Sequence, residues 1–259
     1  MPVITLLTDF GDRDGFVGTM KGVILSINPS ARIIDIAHDI PSGDIHTGAF
    51  VLSRSYSYFP ENTIHVVVID PGVGTKRRAL CVHAGAQYFV GPDNGVLKWI
   101  FKDNPDAKVV ELTQQNYFLS TISHTFHGRD IFAPVAAYLS SGIAIGNFGH
   151  AVQDYVKGTW PKYIVSAKKI SGEIIHVDRF GNLISNIAAK DFKLHEFEYI
   201  KLPGHSINKI NNSYDRMPVN QAAAIIGSHG FVEIAVKNNS AAQMLNYSKG
   251  TTIELYLKG

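Results

Sequence analysis

An acid and several bases meet at one turn of this 259-residue chain. Residues 66–78 read VVVIDPGVGTKRR: a β-branched apolar run ends in Asp70, a Pro-Gly-Val-Gly turn follows, and then come Lys76, Arg77 and Arg78. Strand ends beside Gly-rich turns are where α/β folds present ligand-binding groups. A carboxylate directly after an apolar run is costly unless it is paired. The cations six to eight positions later can supply the partner. The spacing is not that of a phosphate-binding P-loop. The bland alternative is a tight loop with a solvated basic rim.

Three further segments carry chemistry-bearing side chains. TDFGDRDG, residues 8–15, places Asp9, Asp12 and Asp14 at and just past a strand end. A carboxylate there can accept both hydroxyls of a ribose, or it can simply cap the turn. HTFHGRD, residues 124–130, sets His127 near Asp130, as in a catalytic imidazole oriented by an acid. A capped helix with a packed histidine is equally consistent. HVDRFGNLISN, residues 176–186, brings Asp178, Phe180 and Asn182 into one turn. Phe180 offers a stacking face and Asn182 a donor and acceptor for a purine edge; the alternative is a hairpin with a Gly-Asn turn. His38-Asp39, Asp44-x-His46 and His127 with Asp130 have metal-ligand character. None matches an HExxH or EF-hand pattern, and no metal is expected.

Composition narrows the class. The chain is 45% hydrophobic and 18% charged with a formal net charge of +2, which is ordinary for a globular protein and argues against nucleic acid or an anionic membrane as partner. The single cysteine, Cys81 in ALCVHAG, excludes an intrachain disulfide and reads as a buried, inert thiol. An acid at position 9 and the lack of a basic leader argue against a signal peptide. No window approaches about 18 apolar residues, the length of a membrane span. A cytoplasmic location is expected.

The elements that must position these residues follow from periodicity. Strands are expected at 3–9, 33–37, 63–70 and 108–112, with a hairpin at 78–83 and 88–90. Helices are expected at 16–28, 44–58, 95–101 and 130–140, and GPDNG at 91–95 reads as a turn. This alternation implies an α/β domain with a mostly parallel sheet and helices on both faces. The pattern changes near GTWP, residues 158–161. Short strands then follow at 163–168, 172–177, 183–187, 199–202, 221–226, 232–236 and 252–257, as in a small barrel or sandwich. The expected organisation is an N-terminal α/β domain at 1–151, a linker at 152–162 and a smaller C-terminal β-barrel-like domain at 163–259. No internal repeat is visible.

Taken in order, TDFG with GTMKG, DPGVGTKRR, FHGRDIFAP and DRFGNLISN span almost the whole chain. Together they resemble the S-adenosyl-L-methionine (SAM) hydroxide adenosyltransferase family, which is related to the fluorinases and chlorinases. The resemblance implies a two-domain subunit and a homotrimer with active sites between neighbouring subunits. It implies attack of water or hydroxide at C5′ of the ribose of SAM, giving adenosine and L-methionine. SAM is then the substrate, and no cofactor is implied. The family's Asp-Arg-His set maps onto Asp70, Arg77 and His127, with Arg78 the residue to be confused with Arg77. Ribose contacts map onto Asp9 or Asp14, and further adenosine contacts onto Asp178, Phe180 and Asn182. Adenine contacts fall within 227–239, with Ser228, Glu233 and Val236 as candidates. The halogenating relatives lack the Asp of DPGVGT, so Asp70 places this sequence with the hydrolases. A SAM or adenosine sensor without turnover, a halogenase and a metal-dependent hydrolase are the alternatives.

Overall fold

The structure, a computed structural model, describes residues 3–161 and 163–258. Lys162 in the expected linker, and residues 1–2 and 259 at the ends of the expected domains, lie outside the described residues. The chain divides into two compact units, Met1–Thr159 and Trp160–Gly259.

The first unit is built on a seven-stranded sheet. Its strands are β1 (Val3–Thr8), β2 (Arg32–Ala37), β3 (Ile64–Val68), β4 (Ala79–Ala84), β5 (Gln87–Pro92), β6 (Lys108–Leu112) and β7 (Gly149–Ala151), in the order β2-β1-β3-β5-β4-β6-β7. Its helices are α1 (Phe16–Ile27), α2 (Ile45–Ser55), α3 (Lys98–Asp103) and α4 (Ala133–Ser140). Alternation along the strands feeds two cores. Leu6, Val66 and Val68 pack with Met20 and Ile24 of α1 and Val135 of α4. Leu7, Val67 and Ile69 pack with Leu52 of α2 and Ile100 of α3. Asp44 caps α2, accepting from Thr47 N at 3.0 Å, as a short acceptor at an N-cap should. Cys81 is fully buried and its thiol is pushed far up by burial.

The sheet is mixed, not mostly parallel. β1 pairs in parallel with β2 and β3, and β3 with β5. The β4–β5, β4–β6 and β6–β7 pairs are antiparallel. The reason is local: only Gly85 and Ala86 separate β4 from β5, and so short a turn permits only an antiparallel pair. β6 then adds to the far edge of that hairpin instead of continuing the parallel series.

One buried group in this unit carries a pH prediction. The His65 side chain is 0% exposed, stacks on Phe89 and meets Thr5 Oγ1 at 2.8 Å through Nδ1. Burial pushes its pKa down to about 4, against a smaller upward pull from Gln87. The folded state therefore stays neutral while the unfolded chain takes up a proton near about 6.5. Stability from this group is fully present above about 6.5 and is lost as pH falls towards about 4, roughly 3 kcal/mol in all. Denaturant titrations at pH 7.5 and pH 4 (chosen conditions, about the two limits) should show a larger loss for the native chain than for His65→Leu. Equal losses would show that His65 is not the titrating group.

The second unit is a β-structure: β8 (Ile164–Val165), β9 (Lys169–Val177), β10 (Leu183–Ala188), β11 (Phe197–Leu202), β12 (His205–Ile207), β13 (Ile210–Asn211), β14 (Ala222–Ile226), β15 (Phe231–Val236) and β16 (Thr252–Leu257), with one short helix, α5 (Ala241–Leu245). The strand order is β12-β11-β16-β9-β10-β15-β14-β13, with β8 on β9. β12 returns beside β14, so the sheet is nearly closed and barrel-like. Its interior holds Ile170, Ile174, Leu183, Ile200, Ile234, Ile253 and Leu255. The strand expected at 163–168 is only the short β8.

Candidate active site

Asp9 and Asp70 both follow parallel strands, β1 and β3, which are neighbours in register. They thus share the carboxyl edge of the parallel part of the sheet, where open α/β sheets bind ligands. Gly43 packs beside both loops: its N–H donates to Asp9 Oδ2 at 2.7 Å, and a Cβ added to it would lie 3.6 Å from Pro71, the residue after Asp70.

The loop after β3 closes on itself and returns a cation to its own acid. Val73 N donates to Asp70 O and Thr75 N to Gly72 O, which are the bonds of successive tight turns. Arg77 Nε then reaches both Asp70 oxygens at 3.0 Å, and Arg77 Nη2 also donates to Oδ2. The two side chains are 9% and 4% exposed, so this is a buried, multidentate ion pair, the strong kind. Arg77 also lies over the Phe132 ring, 5.4 Å from its centroid.

His127 completes the group. Arg77 Nη2 lies 2.8 Å from His127 Nδ1. A guanidinium can only donate, so Nδ1 is the acceptor and the proton of the neutral ring is assigned to Nε2. Burial, and then the Arg77 charge, hold the imidazole below its ordinary value, outweighing the upward pull of Asp70, Asp130 and a backbone hydrogen bond with Ser123. Neutral histidine, salt-bridged arginine and aspartate therefore form one network.

Local sequence explains why His127 stands there. Gly74 has φ +76°, and a Cβ on it would sit 2.2 Å from the His124 carbonyl oxygen. Only glycine permits both that conformation and that approach of the loop to the histidine segment. The other side is fixed by Asp130, which is fully buried. It accepts from Ser123 N at 2.8 Å and Arg129 Nε at 2.6 Å. The helix expected at 130–140 starts instead with a π-helical turn, Gly128–Phe132, ahead of α4. Such turns are frequent at functional sites.

Arg78 points away from this network. It pairs with Asp93, 2.9 Å from Nε, and with Asp154, 2.6 Å from Nη1. Asp14 is exposed in the turn before α1, whereas Asp9 is half-buried and held by Gly43. Among the described residues no group of three or more His, Cys, Asp or Glu is placed to hold a metal.

The remaining candidates lie in the second unit. Asp178 organises its own turn: Oδ1 accepts from Phe180 N at 2.9 Å and Asn182 N at 2.8 Å, and Oδ2 from Asn182 Nδ2 at 2.9 Å. That leaves Phe180 78% exposed while Asn182 is buried. Glu233 is buried and accepts from Tyr214 Oη at 3.0 Å. Burial and the nearby Asp178 raise its pKa against the Tyr214 bond, and the Tyr214 hydroxyl is itself pushed up to about 12, chiefly by burial. Ser228 is exposed in the turn between β14 and β15. The Val236 side chain is committed to the hydrophobic core, so a ligand contact there falls to its backbone. Asn186 also has a structural task, its Oδ1 accepting from Glu173 N at 2.9 Å. Sequence reading missed Tyr214, which stands outside every motif, and treated Asp93 and Asn94 only as turn residues.

The chain as a whole is similar to known proteins. Residues 4–149 match the SAM hydroxide adenosyltransferase N-terminal domain, and residues 172–254 match the C-terminal domain of the same family. The chain is 36% identical over 258 residues to the (R)-S-adenosyl-L-methionine hydrolase of Salinispora arenicola, covering 98% of this chain and 97% of that one. It is 24% identical to a fluorinase of Actinoplanes sp., over 97% of this chain and 96% of the other. Its fold matches the crystal structure of a conserved protein from Thermotoga maritima with a TM-score of 0.91 at 35% identity, covering 97% and 99% of the two chains. The chain belongs to the SAM hydroxide adenosyltransferase family.

Proposed function

We propose that this chain hydrolyses SAM to adenosine and L-methionine by attack of water at C5′ of the ribose. The observation that carries this reading is the buried Asp70–Arg77–His127 network at the carboxyl edge of the sheet. A new O–C5′ bond forms and the C5′–S bond breaks. The electron pair goes to sulfur, converting a sulfonium into a neutral thioether. Such a leaving group needs no general acid, so the chemistry asks for in-line placement of water and a destination for its proton. Orientation of this kind can contribute several orders of magnitude in rate.

Each side chain has a task. Asp70 orients the water and accepts its proton late in the reaction, since a carboxylate is a weak base for water. Arg77 holds that carboxylate in place and stabilises the developing hydroxide. His127, whose Nδ1 is occupied by Arg77, offers Nε2–H to the same oxygen. Asp9, the better held of the two N-terminal candidates, takes the ribose hydroxyls, with Asp14 the alternative. Phe180 stacks on the adenine, Asn182 reads its edge, and Asp178, Ser228, Glu233 and the Val236 backbone line the remainder of the adenosine and methionine site. A homotrimer with sites between subunits and a cytoplasmic location belong to the same proposal. No helix among the described residues is long and apolar enough to cross a membrane. The 1–151, 152–162 and 163–259 division is likewise the proposed domain plan.

A halogenase is disfavoured because the buried Asp70 carboxylate would repel chloride or fluoride at the nucleophile position. Incubation of the purified chain with SAM should yield adenosine and methionine in equal amounts, unchanged by a chelator and with no chlorinated nucleoside in added chloride. Binding of adenosine without turnover would point instead to a sensor.

A further inference from the structure

The loop carrying Asp70 and Arg77, residues 69–78, joins β3 to β4, and these strands are not neighbours: β5 lies between them. The loop therefore bridges two stems across a third strand. The residues that leave β5, Asp93 and Asn94, emerge between those stems and grip one each. Asn94 Nδ2 donates to the carbonyl of Ile69, the residue before Asp70, at 2.8 Å. Its Oδ1 accepts from Val96 N at 3.1 Å, which fixes the amide's orientation. Asp93, with a side chain 4% exposed, accepts from Arg78 Nη2 at 2.8 Å, and its own N–H donates to the Arg78 carbonyl at 2.9 Å. Arg78 is the residue after Arg77. The second oxygen of Asp93 accepts from Val156 N at 2.8 Å.

The closeness of β5 to the first stem is itself built in. A Cβ on Gly91 would lie 2.5 Å from the Val67 carbonyl oxygen, so a larger residue would push β5, and Asn94 with it, away from β3. The side-chain hydrogen bonds of Asp93 and Asn94 thus reach the two residues flanking the Asp70–Arg77 pair without touching the pair. Catalytic geometry on a loop needs such support, since a misplacement of about 1 Å can cost about 10²-fold in rate.

We propose that Asp93 and Asn94 are positioning residues, fixing the two stems of the 69–78 loop and thereby the placement of Asp70 and Arg77 against His127. The proposal rests on the reading of that trio as the water-handling site. It makes Asp93-Asn94 part of the catalytic apparatus and not only a turn.

The test uses the full chain with two near-isosteric variants. Asn94→Asp keeps the acceptor for Val96 and removes the donor to Ile69. Asp93→Asn keeps the acceptor for Val156 and weakens the hold on Arg78. For each, kcat and KM for SAM are measured, together with the NMR titration of the His127 imidazole. That ring is half-buried against Arg77, Asp70, Asp130 and the Ser123 backbone, so its titration reports how closely Arg77 and its surroundings are packed on it. The expected result is a fall in kcat of about ten- to hundred-fold with KM nearly unchanged. The His127 titration should move up towards its ordinary value near about 6.5. Folded variants with native kcat and native His127 titration would overturn the proposal, as would lowered stability with both quantities native. Arg78→Ala, at a side chain 23% exposed, releases the Asp93 carboxylate from the other stem and decides the matter in the same way if the first two do not fold. A native chain that fails to hydrolyse SAM would overturn the functional reading, while the His127 titration would still decide the positioning role.

Discussion

Asp70→Asn should lower SAM turnover by about 10²–10⁴-fold, the range for loss of a positioned proton acceptor. The change is nearly isosteric. It keeps one acceptor for Arg77 and removes the negative charge that receives the proton of water. Substrate binding should survive, because Asp70 is assigned to the nucleophile and not to the nucleoside. The loss should therefore appear in kcat with KM changed little, the pattern of an interaction made in the transition state. Turnover within a few-fold of native would remove Asp70 from the mechanism.

The second large effect concerns Arg77 and bears on stability as well as rate. Arg77→Ala leaves the Asp70 carboxylate, 4% exposed, without its partner. Breaking a buried pair from one side costs about 3–5 kcal/mol, because a charge remains in a poorly solvated place. Asp70→Asn with Arg77→Ala together should cost less than the sum of the singles, since no buried charge is then stranded. Arg77→Lys restores charge but cannot reproduce the fork that meets both Asp70 oxygens and His127 Nδ1. It should recover part of the stability and little of the rate. Denaturant midpoints and kcat for the three variants check this. A lysine variant with native turnover would show that charge alone suffices.

Much of this was legible in the sequence, for reasons specific to each element. The apolar run ending at Asp70 had to be a buried strand, and a buried carboxylate had to find a cation. Sequence could not choose between Arg77 and Arg78. That choice depends on which way successive side chains leave the loop, and it is resolved by Asp93 and Asp154, which engage Arg78. His127 was recognisable from its neighbours, but its link to Arg77 runs between segments 50 residues apart and has no local signature. The β4–β5 hairpin was legible from its short turn, but the sheet reads as mostly parallel because strand periodicity carries no direction for β6 and β7, which add antiparallel beyond β4. GPDNG read as a turn because Gly, Pro, Asp and Asn are turn formers. Its hold on Ile69 and Arg78 depends on β5 lying between β3 and β4, which is a property of sheet order.

The central claim is that water handled by Asp70, Arg77 and His127 attacks C5′. The most direct test is a SAM incubation in water labelled with heavy oxygen, with mass spectrometry of the products. The account predicts adenosine carrying one heavy oxygen at the 5′ position and unlabelled methionine. Unlabelled adenosine, label in the methionine, or intact SAM beside a folded protein would contradict it.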